Sequence, residues 1–195
     1  MNIRICLPLL LAVSTVSTMA VAGDNYVGAD VMLMTYEEPG LPSADFKGLQ
    51  VKFGTELDSG IGFEARLGTG LSDAEHKNIT IFVPGIGLAN GNGTSNMDLM
   101  LGAYMTANLP VNDTFKVYGL FGITSIELTQ EGTFTAVGFP PVSFSSSSRD
   151  TSLSLGAGVS VAASDSVSVS LEYVSLYDKD DVTIKGLNLG VKSKF

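Results

Sequence analysis

His76 is the only histidine of the chain, and it stands among side chains that could assist it in hydrolysis. Ser72, Asp73 and Glu75 precede it within four residues. A serine activated by a histidine, which an acid in turn orients, is a common nucleophilic site. Such a site needs rigid elements, but this group falls in a segment rich in glycine and asparagine, with no serine of a predicted strand beside His76. The sequence therefore predicts no catalytic residue.

A second group, Asp178, Asp180 and Asp181, could ligate calcium, which prefers clustered carboxylate oxygens. A short acidic turn is more often simply solvated, so we predict no metal site and no cofactor. The formal net charge of −9 argues against nucleic acid as a partner.

The first 22 residues have the pattern of a secretory signal peptide. Arg4 supplies the positive start, residues 7–16 the apolar middle, and Ala20-Val21-Ala22 a cleavage site of small residues. The apolar stretch is shorter than the roughly 20 residues that a membrane-spanning helix needs. We therefore predict a signal peptide over residues 1–22 and one domain over residues 23–195. Cys6, the only cysteine, would leave with the signal.

Beyond the signal, apolar and polar residues alternate with a period of two in eight segments, at residues 26–36, 49–57, 61–68, 98–109, 115–124, 152–161, 167–173 and 187–195. No apolar run there reaches the length of a spanning helix, although hydrophobic residues make up 45% of the chain. Because a bilayer admits only helices and closed barrels, this pattern predicts an all-β fold, an eight-stranded antiparallel up-and-down transmembrane β-barrel. Connections after the odd-numbered strands are generally the longer ones, which is typical of barrels with both chain ends in the periplasm.

The two faces of the predicted strands differ in composition. One face is apolar and almost free of charge, whereas the other carries glycine, serine and isolated charges of both signs. A water-soluble β-sandwich would also alternate, but its wet face usually favours Lys, Glu and Thr. Small residues and compensating charges suit the lumen of a narrow barrel. We therefore expect an interior charge network of Asp30, Lys52, Glu64, Arg66, Asp98, Lys116, Glu172, Lys192 and Lys194.

The signal, the eight alternating strands, the Leu171-Glu172-Tyr173 segment and the terminal phenylalanine together resemble the OmpA-like small outer-membrane barrels, a porin-like family that includes OmpX. The resemblance implies the bacterial outer membrane, with its lipid, lipopolysaccharide and barrel-assembly machinery as partners. Asn188, Gly190 and Phe195 fall where the assembly signal of that family places a polar residue, a glycine and a terminal aromatic. Ser193 departs from the pattern, which usually has a large apolar residue there.

Two long segments, 71–96 and 129–149, are predicted to be irregular extracellular loops with an unusual apolar content. They either extend hairpins beyond the membrane or form an apolar patch for a host or cell-surface partner. We predict a non-enzymatic surface protein that displays these segments for adhesion or partner binding. One alternative is passage of small hydrophobic molecules, as in OmpW-type barrels. Since some barrels of this size are lipid A deacylases or acyltransferases, a lipid A-modifying acyl hydrolase is a further alternative.

Overall fold

The computed structural model describes residues 23–84, 87–179 and 181–195, which form nine antiparallel β-strands. These are β1 (Asp24–Glu37), β2 (Ala44–Glu56), β3 (Ile61–Gly70), β4 (Ala74–Val83), β5 (Gly87–Pro110), β6 (Phe115–Ala136), β7 (Val142–Ala162), β8 (Val167–Lys179) and β9 (Val182–Lys194). The predicted signal peptide, residues 1–22, lies outside the described residues. In the described part of the chain, no helix is both long and apolar enough to cross a membrane.

Eight of these strands form a closed ring. β1 pairs with β2 on one side and with β9 on the other, from Tyr26 opposite Lys194 to Glu37 opposite Thr183. β3 pairs with both β2 and β5, so the ladder returns to its starting point. The predicted eight-stranded antiparallel barrel is confirmed. The ninth strand, β4, pairs with β5 beyond the ring.

The two ends of the barrel differ in their connections. Residue 23, the last residue of the chain and the turns 57–60, 111–114 and 163–166 lie at one end, which we call the turn end. At the other, the hairpin end, β5, β6 and β7 continue to lengths of 24, 22 and 21 residues. Crossing a bilayer takes only roughly 9–11 residues. The excess forms a four-stranded sheet in the order β4-β5-β6-β7, which we call the protruding sheet (described residues of 74–97 and 128–149).

The prediction that segments 71–96 and 129–149 are irregular is wrong. The first contains β4 and the start of β5, and in the second only residues 137–141 separate β6 from β7. Inward and outward positions alternate through both segments, but many of the residues there are glycine, asparagine or serine, which usually mark turns. Both prolines of the second segment, Pro140 and Pro141, lie in its turn. The two segments form hairpins that extend beyond the ring, and the tips of these hairpins also expose apolar side chains.

The outer surface of the ring is a band of exposed apolar side chains. Leu101 and Met105 on β5, Phe121 and Ile123 on β6, and Leu189 on β9 all point outward at alternate positions. Their neighbours in sequence point inward and are mostly buried. This arrangement is the reverse of a soluble sandwich, because the apolar rows face outward and the charges lie inside.

Cross-linking can test closure of the ring between β1 and β9. Ala29 lies opposite Val191, and antiparallel partners have Cα atoms about 4.5–5.5 Å apart, within reach of a disulfide. In a Cys6→Ser background, the A29C/V191C protein should form this disulfide in membranes and migrate faster after boiling without reductant. The control pair V31C/L101C lies on unpaired strands and should stay reduced. A reduced A29C/V191C protein would contradict the ring.

Candidate functional site: the lumen and the protruding sheet

The centre of the lumen holds an arginine between two glutamates. Arg66 and Glu64 stand two residues apart on β3, and the Nε of Arg66 donates to the Oε1 of Glu64 at 2.5 Å. Its Nη1 and Nη2 donate to the two carboxylate oxygens of Glu172 on β8, at 2.6 and 2.8 Å. The guanidinium lies 4.5 Å from the ring centre of Tyr104. All four side chains are buried, so this bidentate pairing offsets the desolvation of the charges.

A second buried ion pair joins β1 and β2. The Nζ of Lys52 donates to the Oδ1 of Asp30 at 2.5 Å, and the amide of Gln50 donates to the Oδ2 of Asp30 at 2.7 Å. The side chains of Lys52 and Asp30 are each 1% exposed. Both oxygens of the carboxylate are therefore satisfied inside the barrel.

Lys192 on β9 extends the network towards the turn end. Its Nζ is 3.6 Å from the Oε2 of Glu64 and lies 4.9 and 4.8 Å from the ring centres of Tyr26 and Tyr118. The hydroxyl of Tyr26 donates to Glu64 at 2.7 Å, and that of Tyr118 donates to Glu172 at 3.1 Å. The ammonium thus has both a carboxylate and two aromatic faces as partners.

The residues of the predicted assembly signal occupy different environments. The Nδ2 of Asn188 donates to the Oε1 of Glu172 at 3.0 Å inside the lumen. Gly190 lies opposite Asp30, and a Cβ at position 190 would collide with the Asp30 carboxylate. Phe195 is 73% exposed at the turn end. Asn188 and Gly190 therefore also belong to the packing of the network, whatever their part in assembly.

Six of the nine predicted network residues meet in the lumen: Asp30, Lys52, Glu64, Arg66, Glu172 and Lys192. Lys116 and Lys194 instead form partly exposed ion pairs at the turn end. Lys116 pairs with Glu56 at 2.8 Å, and Lys194 with Asp24 at 2.6 Å.

The prediction that Asp98 faces the lumen is wrong. Asp98 is exposed, and its Oδ2 accepts a hydrogen bond from the outward Thr129 hydroxyl at 2.6 Å. The β5–β6 register shifts between Met97 and Leu99, so Asp98 is the extra residue of a β-bulge. A period of two carried through this position assigns Asp98 to the wrong face.

An apolar layer above the ion pairs was not predicted. The inward positions of the hairpin-end half of the lumen carry buried apolar side chains, among them Met32, Met34, Met97, Met100, Ile126, Val174, Leu176 and Ile184. The signal was present in the sequence, since Met32 and Met100 occupy the same face as Asp30 and Tyr104. The lumen is therefore filled by an ionic layer and an apolar layer in series.

His76 lies on β4, buried above the apolar layer, and not in an irregular loop as predicted. Its Nδ1 is 3.0 Å from the carbonyl oxygen of Pro42, and its Nε2 is 3.3 Å from the Oγ of Ser95 on β5. Its ring and that of Tyr36 form an edge-to-face pair with centres 5.4 Å apart. A serine of a strand thus does stand beside His76, contrary to the expectation, because β4 pairs with β5. Both residues are enclosed on the inward face, away from the lipid-facing wall.

At the turn end, a cavity of about 530 Å³ opens below the ionic layer. Tyr26, Tyr118 and Lys192 line it, together with the residues of the turn 163–166. Because these three side chains also contact Glu64 and Glu172, the cavity reaches the underside of the ionic layer.

The acidic turn after β8 is only partly described, because Asp180 lies outside the described residues. Among residues 23–84, 87–179 and 181–195, no group of three or more His, Cys, Asp or Glu side chains is placed to hold a metal ion.

The protruding sheet has a polar outer face and a more apolar inner face. On the outer face, a cavity of about 910 Å³ is lined largely by hydroxyl and amide side chains of β5, β6 and β7, such as Asn92, Thr133 and Ser143. On the inner face, the rings of Phe134 and Phe144 stack with centres 5.9 Å apart. No ionisable side chain occurs in residues 78–97 or 132–148, although the chain carries a net charge of −9.

The two edges of the protruding sheet differ. β7 pairs with β6 from Val142 onward, but β8 pairs with β7 only from Leu155. Among the described strands, the other side of residues 142–149 has no ladder partner. The opposite edge, β4, carries a bulge with Asn78 at φ 59° and an exposed Lys77–Glu75 ion pair of 2.6 Å. Bulges and edge charges hinder pairing with another strand, so only the β7 edge is open to it.

Loss of the central arginine should destabilise the barrel. Arg66→Met keeps much of the side-chain volume but leaves Glu64 and Glu172 buried without their main cation, which should cost about 3–5 kcal/mol in the free energy of unfolding. The control Arg149→Met removes an exposed 2.7 Å pair with Glu127 and should cost about 0–1 kcal/mol. Urea unfolding in detergent micelles measures both, and equal losses would contradict a buried network.

Comparisons with known proteins identify the family of the chain. The family model described as outer membrane protein beta-barrel domain matches residues 8–195. Among solved structures, the chain is similar to Ail, the attachment invasion locus protein of Yersinia pestis, at 19% identity and a TM-score of 0.53, covering 90% of this chain and 100% of Ail. Ail in complex with the heparin analogue sucrose octasulfate gives 18% identity, a TM-score of 0.52 and the same coverage.

Neisserial surface protein A (NspA) is similar at 20% identity and a TM-score of 0.49, covering 88% of this chain and 97% of that protein. No curated protein sequence matches the chain. At these identities the structural likeness concerns the fold, whereas the family match extends over nearly the whole chain. The chain therefore belongs to the outer membrane protein β-barrel domain family, and it is an outer-membrane protein of a Gram-negative bacterium.

Proposed function

We propose that this protein is a non-enzymatic surface protein that binds a protein partner by strand addition at the free β7 edge of the protruding sheet. The observation that carries the proposal is an eight-residue strand edge without a ladder partner, held outside the membrane by a rigid, filled barrel. We also propose that residues 1–22 direct export of the chain. The barrel-assembly machinery would then insert the barrel after recognising Asn188, Gly190 and Phe195. Lipopolysaccharide and outer-membrane lipid surround the ring in this proposal.

The composition of the β7 edge supports strand addition. Residues 142–148 have the sequence Val-Ser-Phe-Ser-Ser-Ser-Ser, without a charge or a proline. An incoming extended segment would pair its backbone with the free N–H and C=O groups, and alternate side chains would contact the inner or outer face. Phe144, which is 45% exposed, offers an apolar contact on the inner face.

The β4 edge shows what a protected edge of the same sheet looks like. The hydrogen bond from the Lys77 ammonium holds the pKa of Glu75 below its ordinary value, and Glu75 raises the pKa of Lys77. Both groups therefore stay charged at neutral pH, and a strand approaching this edge would have to accommodate them. The contrast supports β7 as the binding edge.

The filled lumen supports display over transport. A solute would have to displace the Arg66 ion pairs and then pass the methionine-rich layer, and eight strands leave an interior only wide enough for side chains. The enclosed position of His76 and Ser95 supports a non-enzymatic role, because an acyl chain in the membrane has no route to either.

The chemistry of the protruding sheet also bears on the class of partner. Ail was solved with a heparin analogue bound, and sulfated sugars are bound mainly by basic side chains. Residues 78–97 and 132–148 contain no Lys, Arg or His. The part of the protruding sheet beyond Lys77 and Arg149 is therefore suited to backbone pairing with a protein and not to a polyanion.

Reconstitution can test the closed lumen. Liposomes or planar bilayers that contain the protein should show no stepwise ion conductance and no uptake of a small hydrophobic dye above that of protein-free bilayers, because both layers block the path. Uptake that depends on the folded protein, and that is lost after boiling, would favour the transport alternative.

Edge charges can test partner binding. Ser145→Lys together with Ser147→Lys adds two charges to the open edge and should strongly reduce attachment of expressing bacteria to cultured host cells. The control, Thr133→Lys with Thr135→Lys, adds the same charge to the same face of the central strand β6 and should attach normally. Deletion of residues 129–149 should abolish attachment while the protein still inserts and resists SDS until boiled.

Amide hydrogen exchange distinguishes strand addition from other contacts. When a solubilised extract of host-cell surface proteins is added, amides of residues 142–149 should exchange more slowly in the wild-type protein. In the variant with Ser145→Lys and Ser147→Lys, the exchange rates of these amides should not change. Attachment that tolerates the edge lysines, or protection confined to other residues, would refute the proposal.

A further inference from the structure

The tip of the protruding sheet exposes a group of apolar side chains, which we call the apex: Phe82, Leu88, Val137, Phe139 and Val142. Their exposed fractions are 72, 65, 97, 48 and 64%. Such exposure of large apolar groups in water, gathered at one point, marks an interaction site. This site shares only Val142 with the β7 edge, and it goes beyond the proposed function.

Pairing and turn geometry bring the apex together. Phe82 pairs with Leu88 across the β4–β5 hairpin. Ala89, next to Leu88, pairs with Ala136, next to Val137, so the two hairpin tips lie side by side. The β6–β7 turn is closed by the N–H of Phe139, which donates to the carbonyl of Ala136 at 3.2 Å, with Gly138 at φ 84°.

The apex lies well away from the membrane that the barrel spans. On β5, the outward apolar band ends near Leu99, and about ten further residues lead to Leu88, or roughly 30 Å along the strand. The side chains between them on the outer face are Asn90, Asn92, Thr94, Asn96 and Asp98, none of which is apolar. The apex therefore does not contact the membrane that the barrel itself spans.

We infer that the apex inserts into the surface of a second lipid bilayer, one with electrically neutral headgroups. A convex apolar tip fits a deformable medium better than a preformed pocket, and it resembles the apolar anchors of proteins that bind bilayer interfaces. The hydroxyl and amide side chains below the tip can bond to phosphate and ester oxygens at headgroup depth.

The distribution of charge favours a bilayer with neutral headgroups as the partner of the apex. No charge in residues 78–97 or 132–148 would have to be desolvated when the tip enters a membrane. The net charge of −9 disfavours anionic bilayers, so zwitterionic phosphatidylcholine is the matching surface. Attraction of this kind depends on buried apolar area and hardly on salt.

A single fluorescent label can report insertion. In a Cys6→Ser background, Val137→Cys labelled with an environment-sensitive dye, in protein held in nanodiscs, should shift to the blue when phosphatidylcholine vesicles are added, at low and at high salt. Ser147→Cys, lower on the same sheet, should show no shift. A shift that grows with protein concentration without vesicles would assign the apex to a second copy and overturn the inference.

Flotation with the same vesicles gives a matched pair of variants. Val137→Asp places a charge at the apex and should lower vesicle binding roughly tenfold or more. Val111→Asp places the same charge in an exposed turn at the other end of the barrel and should bind as the wild type does. Equal losses, no binding by the wild type, or binding only to anionic vesicles at low salt would each overturn the inference. Because neither change touches the β7 edge, attachment through that edge is tested separately.

Discussion

The structure depends on one constraint, that a backbone in hydrocarbon must satisfy its hydrogen bonds within the chain. The pairings of β1 with β9 and of β3 with β5 meet it by leaving no strand edge inside the bilayer. Once the ring is closed with eight strands, its interior is too narrow for bulk water and must be filled by side chains. The filled lumen is therefore a consequence of the small ring, and it makes a stiff base for whatever projects from it.

The lumen is filled in two ways, and each suits its position. The ionic layer relies on the bidentate contact of Arg66 with Glu172 and on the room that Gly190 leaves for Asp30. The apolar layer relies on methionines, whose flexible side chains fill irregular gaps. Above both, the contact of His76 with Pro42 ties β4 to the β1–β2 connection. Beyond the ring the edge constraint no longer applies, since water can satisfy a free strand edge, and the β7 edge is left open there.

Much of the ring could be predicted from the sequence, because alternation over about ten residues fixes both the strand and the face that meets lipid. The apolar outward row and six of the charged residues in the lumen follow from that period alone. The face on which Asp98 lies could not be predicted, because a single-residue bulge cannot be recognised in the two-residue alternation of a strand. The contact of His76 with Ser95 depends on the β4–β5 register, which a second bulge after His76 sets. The protruding strands were missed because their alternating residues are ones that usually signal turns.

The bulge at Asp98 divides the continuous strand β5 into a membrane-spanning portion and a surface portion. Below it, odd-numbered residues of β5 meet lipid, and above it odd-numbered residues turn inward. The buried and exposed sides of the surface portion are thus out of phase with those of the spanning portion. Each portion can accumulate substitutions under its own selective pressure, one imposed by the hydrocarbon and the other by the surroundings of the cell.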